Sequence, residues 1–139
     1  MLKNKLKNYK PKITIITVVK NDQDNILKTM KSVFSQKYKN FEYIVVDGKS
    51  KDKTLKILKA NKKNIDLIIS QKDKNLWDAM NKGIRLSKGH IIGFVNSGDI
   101  INKNTLGLVN KYFINYKIDY LFGPVEKDRV LYRFEPEKI

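Results

Sequence analysis

The sequence predicts an α/β domain, an open and mostly parallel sheet with helices on both faces. Three observations carry this. Short β-branched apolar runs recur along the chain, as expected of strands buried on both sides. They alternate with stretches whose apolar residues repeat at helical spacing, the pattern of right-handed βαβ units. Successive runs also end in small polar or acidic residues, as strands do where their carboxyl ends open into a ligand crevice. At 139 residues, 41% of them hydrophobic, the chain is one domain with a real core.

Residues 1–12 read as a basic, mostly polar N-terminal tail, and the domain proper as 13–139. Ile13-Thr14-Ile15-Ile16-Thr17-Val18-Val19 is the first strand, ended by Lys20-Asn21-Asp22. Ile26, Leu27, Met30, Val33 and Phe34 then form one apolar helical stripe, with Asp22 or Asp24 able to cap it. A second strand, Tyr43 to Val46, runs into Asp47-Gly48-Lys49-Ser50-Lys51-Asp52. Ser50 or Asp52 can cap the following helix, which carries Leu55, Ile57 and Leu58.

Asp66 to Ser70 is a third strand, and a helix from Leu76 to Ser87 should turn Leu76, Ala79, Met80, Gly83 and Ile84 inward. The run from Lys88 to Asp99 is the fourth strand, ending in Asn96-Ser97-Gly98-Asp99. Leu106, Val109, Tyr112, Phe113 and Tyr116 mark a further amphipathic helix. Tyr120-Leu121-Phe122 and Val130-Leu131-Tyr132 read as two short strands, with a turn at Lys127-Asp128.

Composition narrows the function classes. The chain has no cysteine and one histidine, which excludes disulfides, thiolate metal sites and multi-histidine zinc sites. Its net charge of +15 is nearly all lysine spread along the whole sequence. Diffuse lysine of this kind reads as a solvated surface, and nucleic acid is not the expected partner. Such a surface does attract a nucleotide diphosphate or an anionic membrane. No run reaches the roughly 18 apolar residues of a membrane span, and the leader has no secretory pattern. A cytoplasmic location is expected, with peripheral contact at the inner face of the membrane.

Chemistry belongs at the strand ends, where Lys20-Asn21, Asp47 to Ser50 and Asn96 to Asp99 gather. Oxygen ligands there suit Mg²⁺ or Mn²⁺, which bridges a diphosphate. Each Asp alone reads first as a cap or turn residue, and it is their placement at successive strand ends that favours a site. No G-x-G-x-x-G or P-loop follows a strand. Lys20-Asn21-Asp22 also lacks the acidic pair of a phospho-acceptor receiver.

Five stretches taken together resemble family 2 glycosyltransferases: Ile13 to Asn21, Ser32-Val33-Phe34-Ser35-Gln36, Phe41 to Thr54, Asp78-Ala79-Met80-Asn81-Lys82-Gly83-Ile84, and Gly89 to Asp99. The resemblance implies a GT-A fold (Rossmann-like), holding a nucleotide-diphosphate-sugar across the first, second and fourth strand ends. By that analogy Val18, Lys20 and Asn21 line the nucleotide side, and Asp47, Gly48 and Ser50 sit by base and ribose. Asp78 and Asn81 border the donor, and Trp77 is either an apolar wall or core. Asn96 and Ser97 open the metal motif.

Gly98 occupies the slot of the usual metal-binding carboxylate in that motif, leaving Asp99 to hold Mg²⁺ or Mn²⁺. The resemblance also implies a further acceptor-binding segment after Ile139, so the chain reads as the truncated N-terminal, donor-binding part. No catalytic base can be named, and His90 should lie at the far end of its strand. The expected reaction is sugar transfer from the nucleotide-diphosphate-sugar to a glycan or lipid-linked acceptor in cell-surface polysaccharide synthesis. The alternatives are a non-catalytic fragment that binds donor without turnover and, on charge alone, a nucleic-acid-binding domain.

Overall fold

The computed structural model describes residues 11–121, 125–127 and 130–132. Its centre is a four-stranded parallel sheet in the order β3-β2-β1-β4, formed by Ile13–Val19 (β1), Phe41–Asp47 (β2), Leu67–Ser70 (β3) and Ile91–Phe94 (β4). The helices between and after them are Ile26–Phe34 (α1), Thr54–Ala60 (α2), Leu76–Leu86 (α3) and Thr105–Asn115 (α4). A separate antiparallel pair follows, Val125–Lys127 (β5) with Val130–Tyr132 (β6). The α/β class and the open sheet covered on both faces stand as the sequence predicts.

β1 is central because every one of its residues can be buried. Ile13, Ile15 and Val19 face α1, α2 and α4 and join Ile26, Met30, Val33, Tyr43, Val45, Leu58 and Leu106 in the larger core. Ile16 and Val18 face the other way, where Ile44, Val46 and Ala79 complete a smaller core under α3. Each such aliphatic side chain contributes about 1.5–3 kcal/mol on full burial. α3 can lie this close because Gly83 has no side chain, since a Cβ there would come within 2.6 Å of Ile16.

The polar residues of β1 are satisfied inside the sheet. Thr17 donates to the carbonyl of Val95 at 2.6 Å and shares a 2.8 Å hydrogen bond with Tyr43. Glu42 is buried on β2 and accepts from Thr14 at 2.5 Å and from the Lys88 amide. Burial pushes its carboxyl up, but these bonds and Lys12 prevail and hold it below the usual range.

Several local expectations are corrected. Neither Asp22 nor Asp24 caps α1, whose N-cap is Asn25 without a side-chain bond. Asp22 instead accepts from Asn25 and Ser97. Ser50 does not cap α2; Asp52 accepts from the Thr54 amide at its first turn. α3 turns Ala79 and Gly83 inward, whereas Leu76 and Ile84 are 51% and 40% exposed. Tyr120 and Leu121 are not in a strand; β5 begins at Val125. Phe122, Asp128 and the tail up to Lys10 lie outside the described residues.

Candidate functional site

Strand order reverses between β1 and β4. The chain steps outward from β1 to β2 to β3, then returns to the other side of β1. A crevice forms at such a switch point, beyond the carboxyl ends of the strands. An open cleft of about 300 Å³ lies at the end of β1, lined by Val18, Val19, Lys20, Asp73, Lys74, Asn75, Leu76 and Ala79. Its walls are thus the end of β1, the β3–α3 loop and the first turn of α3.

The loops after β1 and β2 are knitted into one wall. Gly48 donates to the Val19 carbonyl at 2.8 Å. Asn21 adopts φ +51°, a left-handed conformation that asparagine tolerates better than most residues. There its amide donates to Ser50 Oγ at 2.8 Å, and its own Oδ1 accepts from the Lys51 amide at 2.7 Å. Lys49, at φ +59°, completes the turn. Gly48 is needed for closeness, because a Cβ would stand 3.0 Å from Asp73 and 3.2 Å from the Lys20 side chain.

Asp47 ends β2 fully buried. Its carboxylate accepts from the Ser50 hydroxyl and amide and, at 2.6 Å, from Ser70. In this arrangement the carboxylate pins the turn from inside rather than lining the cleft.

Across the cleft, Asn75 caps α3 by accepting from the Asp78 amide at 2.9 Å. Lys82 donates to Asp73 at 2.5 Å and to the Lys72 carbonyl at 2.9 Å, and lies 3.4 Å from Asp78. The bond to Asp73 raises the Lys82 pKa, while the Lys74 amide foremost holds Asp78 below the usual carboxylate range. Asp78 is half-buried and Asn81 exposed, and neither lines the cleft. Trp77 is 68% exposed, so it is not a core residue.

At the end of β4, Val95 donates to Ile16 and Ser97 to Val18 through the backbone, continuing the sheet past Phe94. Ser97 Oγ donates to Asp22 at 2.6 Å. Asn96 Oδ1 is a buried oxygen with no hydrogen-bond partner among the described residues. Gly98 has φ +97°, with open space where a Cβ would stand. Asp99 is exposed.

No group of three or more His, Cys, Asp or Glu able to hold a metal forms among the described residues. The Asp99 carboxylate and the Asn96 amide oxygen are hard donors, the chemistry a divalent cation takes. His90 lies at the opposite, amino end of β4, donating through its amide to the Lys12 carbonyl at 2.7 Å.

The structure therefore brings Val18, Lys20 and Gly48 together at the cleft, with Asn21 and Ser50 behind them. Asp73 was not singled out from the sequence. A lone Asp between lysines in a loop carries no periodic or motif signal, although the Asn75 cap three residues before Asp78 marks the helix start beside it.

The pattern of the family described as glycosyl transferase family 2 matches residues 14–136. An uncharacterized glycosyltransferase of Mycobacterium tuberculosis is 36% identical over 90 residues, covering 64% of this chain and 34% of that protein. The Escherichia coli UDP-Glc:alpha-D-GlcNAc-diphosphoundecaprenol beta-1,3-glucosyltransferase WfaP is 32% identical over 126 residues, covering 86% of this chain and 49% of its own length. Among solved structures, S. aureus TarS 1-349 in complex with UDP-GlcNAc superposes with a TM-score of 0.68 at 26% identity, covering 73% of this chain and 31% of that one. The chain thus spans about a third to a half of these proteins.

Proposed function

The chain belongs to glycosyl transferase family 2, and from that premise we propose that it binds a nucleotide-diphosphate-sugar at the β1–β4 switch point for transfer to an acceptor. The observation that carries the reading is the cleft at the end of β1, walled by Val18, Lys20 and Asp73, with Gly48 packed close to the last two. Lys20 supplies positive charge for phosphate, and the Asn21–Ser50 turn holds the wall on the base and ribose side. Asp78 and Asn81 stand on α3 outside the cleft lining and would meet only the part of a donor that reaches past its rim.

Asn96, Ser97 and Asp99 serve the diphosphate end. Asp99, with the Asn96 amide oxygen, would hold Mg²⁺ or Mn²⁺. A cation bound there neutralises charge on the departing diphosphate. In the proposed reaction an acceptor hydroxyl oxygen attacks the anomeric carbon, the bond from that carbon to the phosphate oxygen breaks, and the nucleoside diphosphate leaves. The hydroxyl proton passes to a base that we assign to no described residue.

WfaP, by its name, uses UDP-Glc and a diphosphoundecaprenol-linked acceptor, which supports a lipid-linked acceptor here and a role in cell-surface polysaccharide synthesis. No helix among the described residues is long and apolar enough to cross a membrane. The net charge of +15 supports peripheral contact with an anionic inner membrane face from the cytoplasm.

The test is to add UDP, GDP or their sugars to labelled protein and follow amide resonances. Shifts centred on Val18 to Asn21 and Asp73 to Ala79 are expected, and no shifts in these segments contradict the reading. A second reading, donor binding without turnover, is favoured by Gly98 standing in the metal motif. Donor consumption with acceptor present rejects it; binding without consumption supports it.

A further inference from the structure

α1 buries three polar residues, Thr29, Ser32 and Gln36, the last just past the helix end, at 0%, 8% and 0% exposure. Side chains three and four residues apart share one helix face, and a helix that only packed would carry aliphatic groups here. Burying polar groups costs free energy unless each finds a partner. All three find partners in one segment, the loop that follows β4 and the first turn of α4. The Gly98 amide donates to Thr29 Oγ1 at 2.9 Å, and the Ile101 amide to Ser32 Oγ at 3.2 Å. Gln36 uses both ends of its amide, donating to the Asn102 carbonyl at 2.7 Å and accepting from the Leu106 amide at 3.0 Å.

These partners are themselves fixed. Ser32 Oγ donates to the Thr29 carbonyl at 2.7 Å, and Gln36 Nε2 also donates to the Ser32 carbonyl at 3.0 Å. The backbone adds a bond from the Lys37 amide to the Lys103 carbonyl at 2.9 Å. Asp99 lies between the first two anchored amides. Its side chain is exposed, so the held backbone on either side decides where the carboxylate stands.

We infer that Thr29, Ser32 and Gln36 form a polar clamp that positions the loop from Gly98 and the start of α4 at Leu106, and with them Asp99, for the donor. They are positioning residues, and the inference rests on the donor reading above. It gives Ser32 and Gln36, at the two ends of the Ser32-Val33-Phe34-Ser35-Gln36 stretch, a role away from any direct donor contact. Where one acidic side chain must do the work of a cluster, the position of its loop sets cation and diphosphate affinity.

The test compares Thr29→Val, which keeps shape and loses the acceptor oxygen, with Thr29→Ser, which keeps the oxygen, and with the exposed Lys31→Ala. Two readouts are used: hydrogen exchange at the Gly98 and Ile101 amides, and UDP or GDP binding with and without Mn²⁺. Thr29→Val should speed exchange at Gly98 about tenfold, as expected for one lost buried hydrogen bond, and weaken Mn²⁺-dependent binding several-fold. Metal-free binding should be unchanged, and Thr29→Ser and Lys31→Ala should match wild type. Unchanged Gly98 exchange in Thr29→Val overturns the clamp, as does an equal loss of binding with and without Mn²⁺. If wild type binds neither nucleotide, the donor reading fails, and the exchange comparison still decides whether the clamp exists.

Discussion

The ammonium of Lys82 lies 2.5 Å from Oδ1 of Asp73 and 3.4 Å from Oδ2 of Asp78, so one cation on α3 orients two carboxylates beside the cleft. With the Lys82 pKa raised and that of Asp78 lowered, both remain charged through neutral pH. The arrangement pairs Asp73, beside Gly48 at the cleft, with a cation from α3.

Lys82→Met should therefore free Asp73 and weaken nucleotide binding about three- to tenfold, the range of a single charge-assisted contact. The two side chains are only 16% and 10% exposed, so losing the pair should also lower the melting temperature. Titration calorimetry and melting curves check this together, and undiminished affinity counts against a donor role for Asp73.

Gly48→Ala adds one carbon at 3.0 Å from Asp73 and 3.2 Å from the Lys20 side chain. Gly48 is not in the left-handed region, so the backbone tolerates alanine. Binding should fall while the melting temperature holds. The reverse pattern, a less stable protein with intact affinity, would show that Gly48 serves folding rather than the cleft.

Gly98→Ala and Gly98→Asp should each lower stability by about 1 kcal/mol, because φ +97° suits glycine alone. The space beyond is open, so no clash adds to this cost. Only Gly98→Asp should tighten Mn²⁺-dependent nucleotide binding. Identical binding by the two variants would remove Gly98 from the metal position.

Tyr43 gives a pH prediction. Burial pushes its pKa from 10.0 up to about 12, against the opposing bond from Thr17. A raised folded pKa favours the protonated form, so this stabilisation is complete below about pH 10 and lost as pH rises through about 12. Unfolding followed by tyrosinate absorbance should steepen in that window, and Tyr43→Phe should lessen the slope. A wild-type profile flat over the same window would contradict it.

How far this was legible from the chain varies by element. β1 reads directly because seven apolar or β-branched residues in a row suit only a strand buried on both faces. The strand-end cluster reads as well, since polarity changes abruptly at Lys20, Asp47 and Asn96. Leu76 misleads because its spacing on α3 matches the inward face, yet it stands at the cleft where the core has ended. Asp22 and Ser50 look like helix caps by position, but tertiary partners, Ser97 for one and Asp47 with Asn21 for the other, claim their side chains. The clamp could not be read at all. Thr29, Ser32 and Gln36 show helical spacing, but their partners are backbone groups about 70 residues away, and sequence pattern carries no trace of such pairings.

The central claim is a donor site at the end of β1, and titration calorimetry of the wild-type chain with UDP, GDP and their sugars tests it most directly. Saturable one-to-one binding of at least one of them is expected, strengthened by Mn²⁺ and losing that strengthening in Asp99→Asn. No saturable binding to any of these ligands, with or without Mn²⁺, would contradict it.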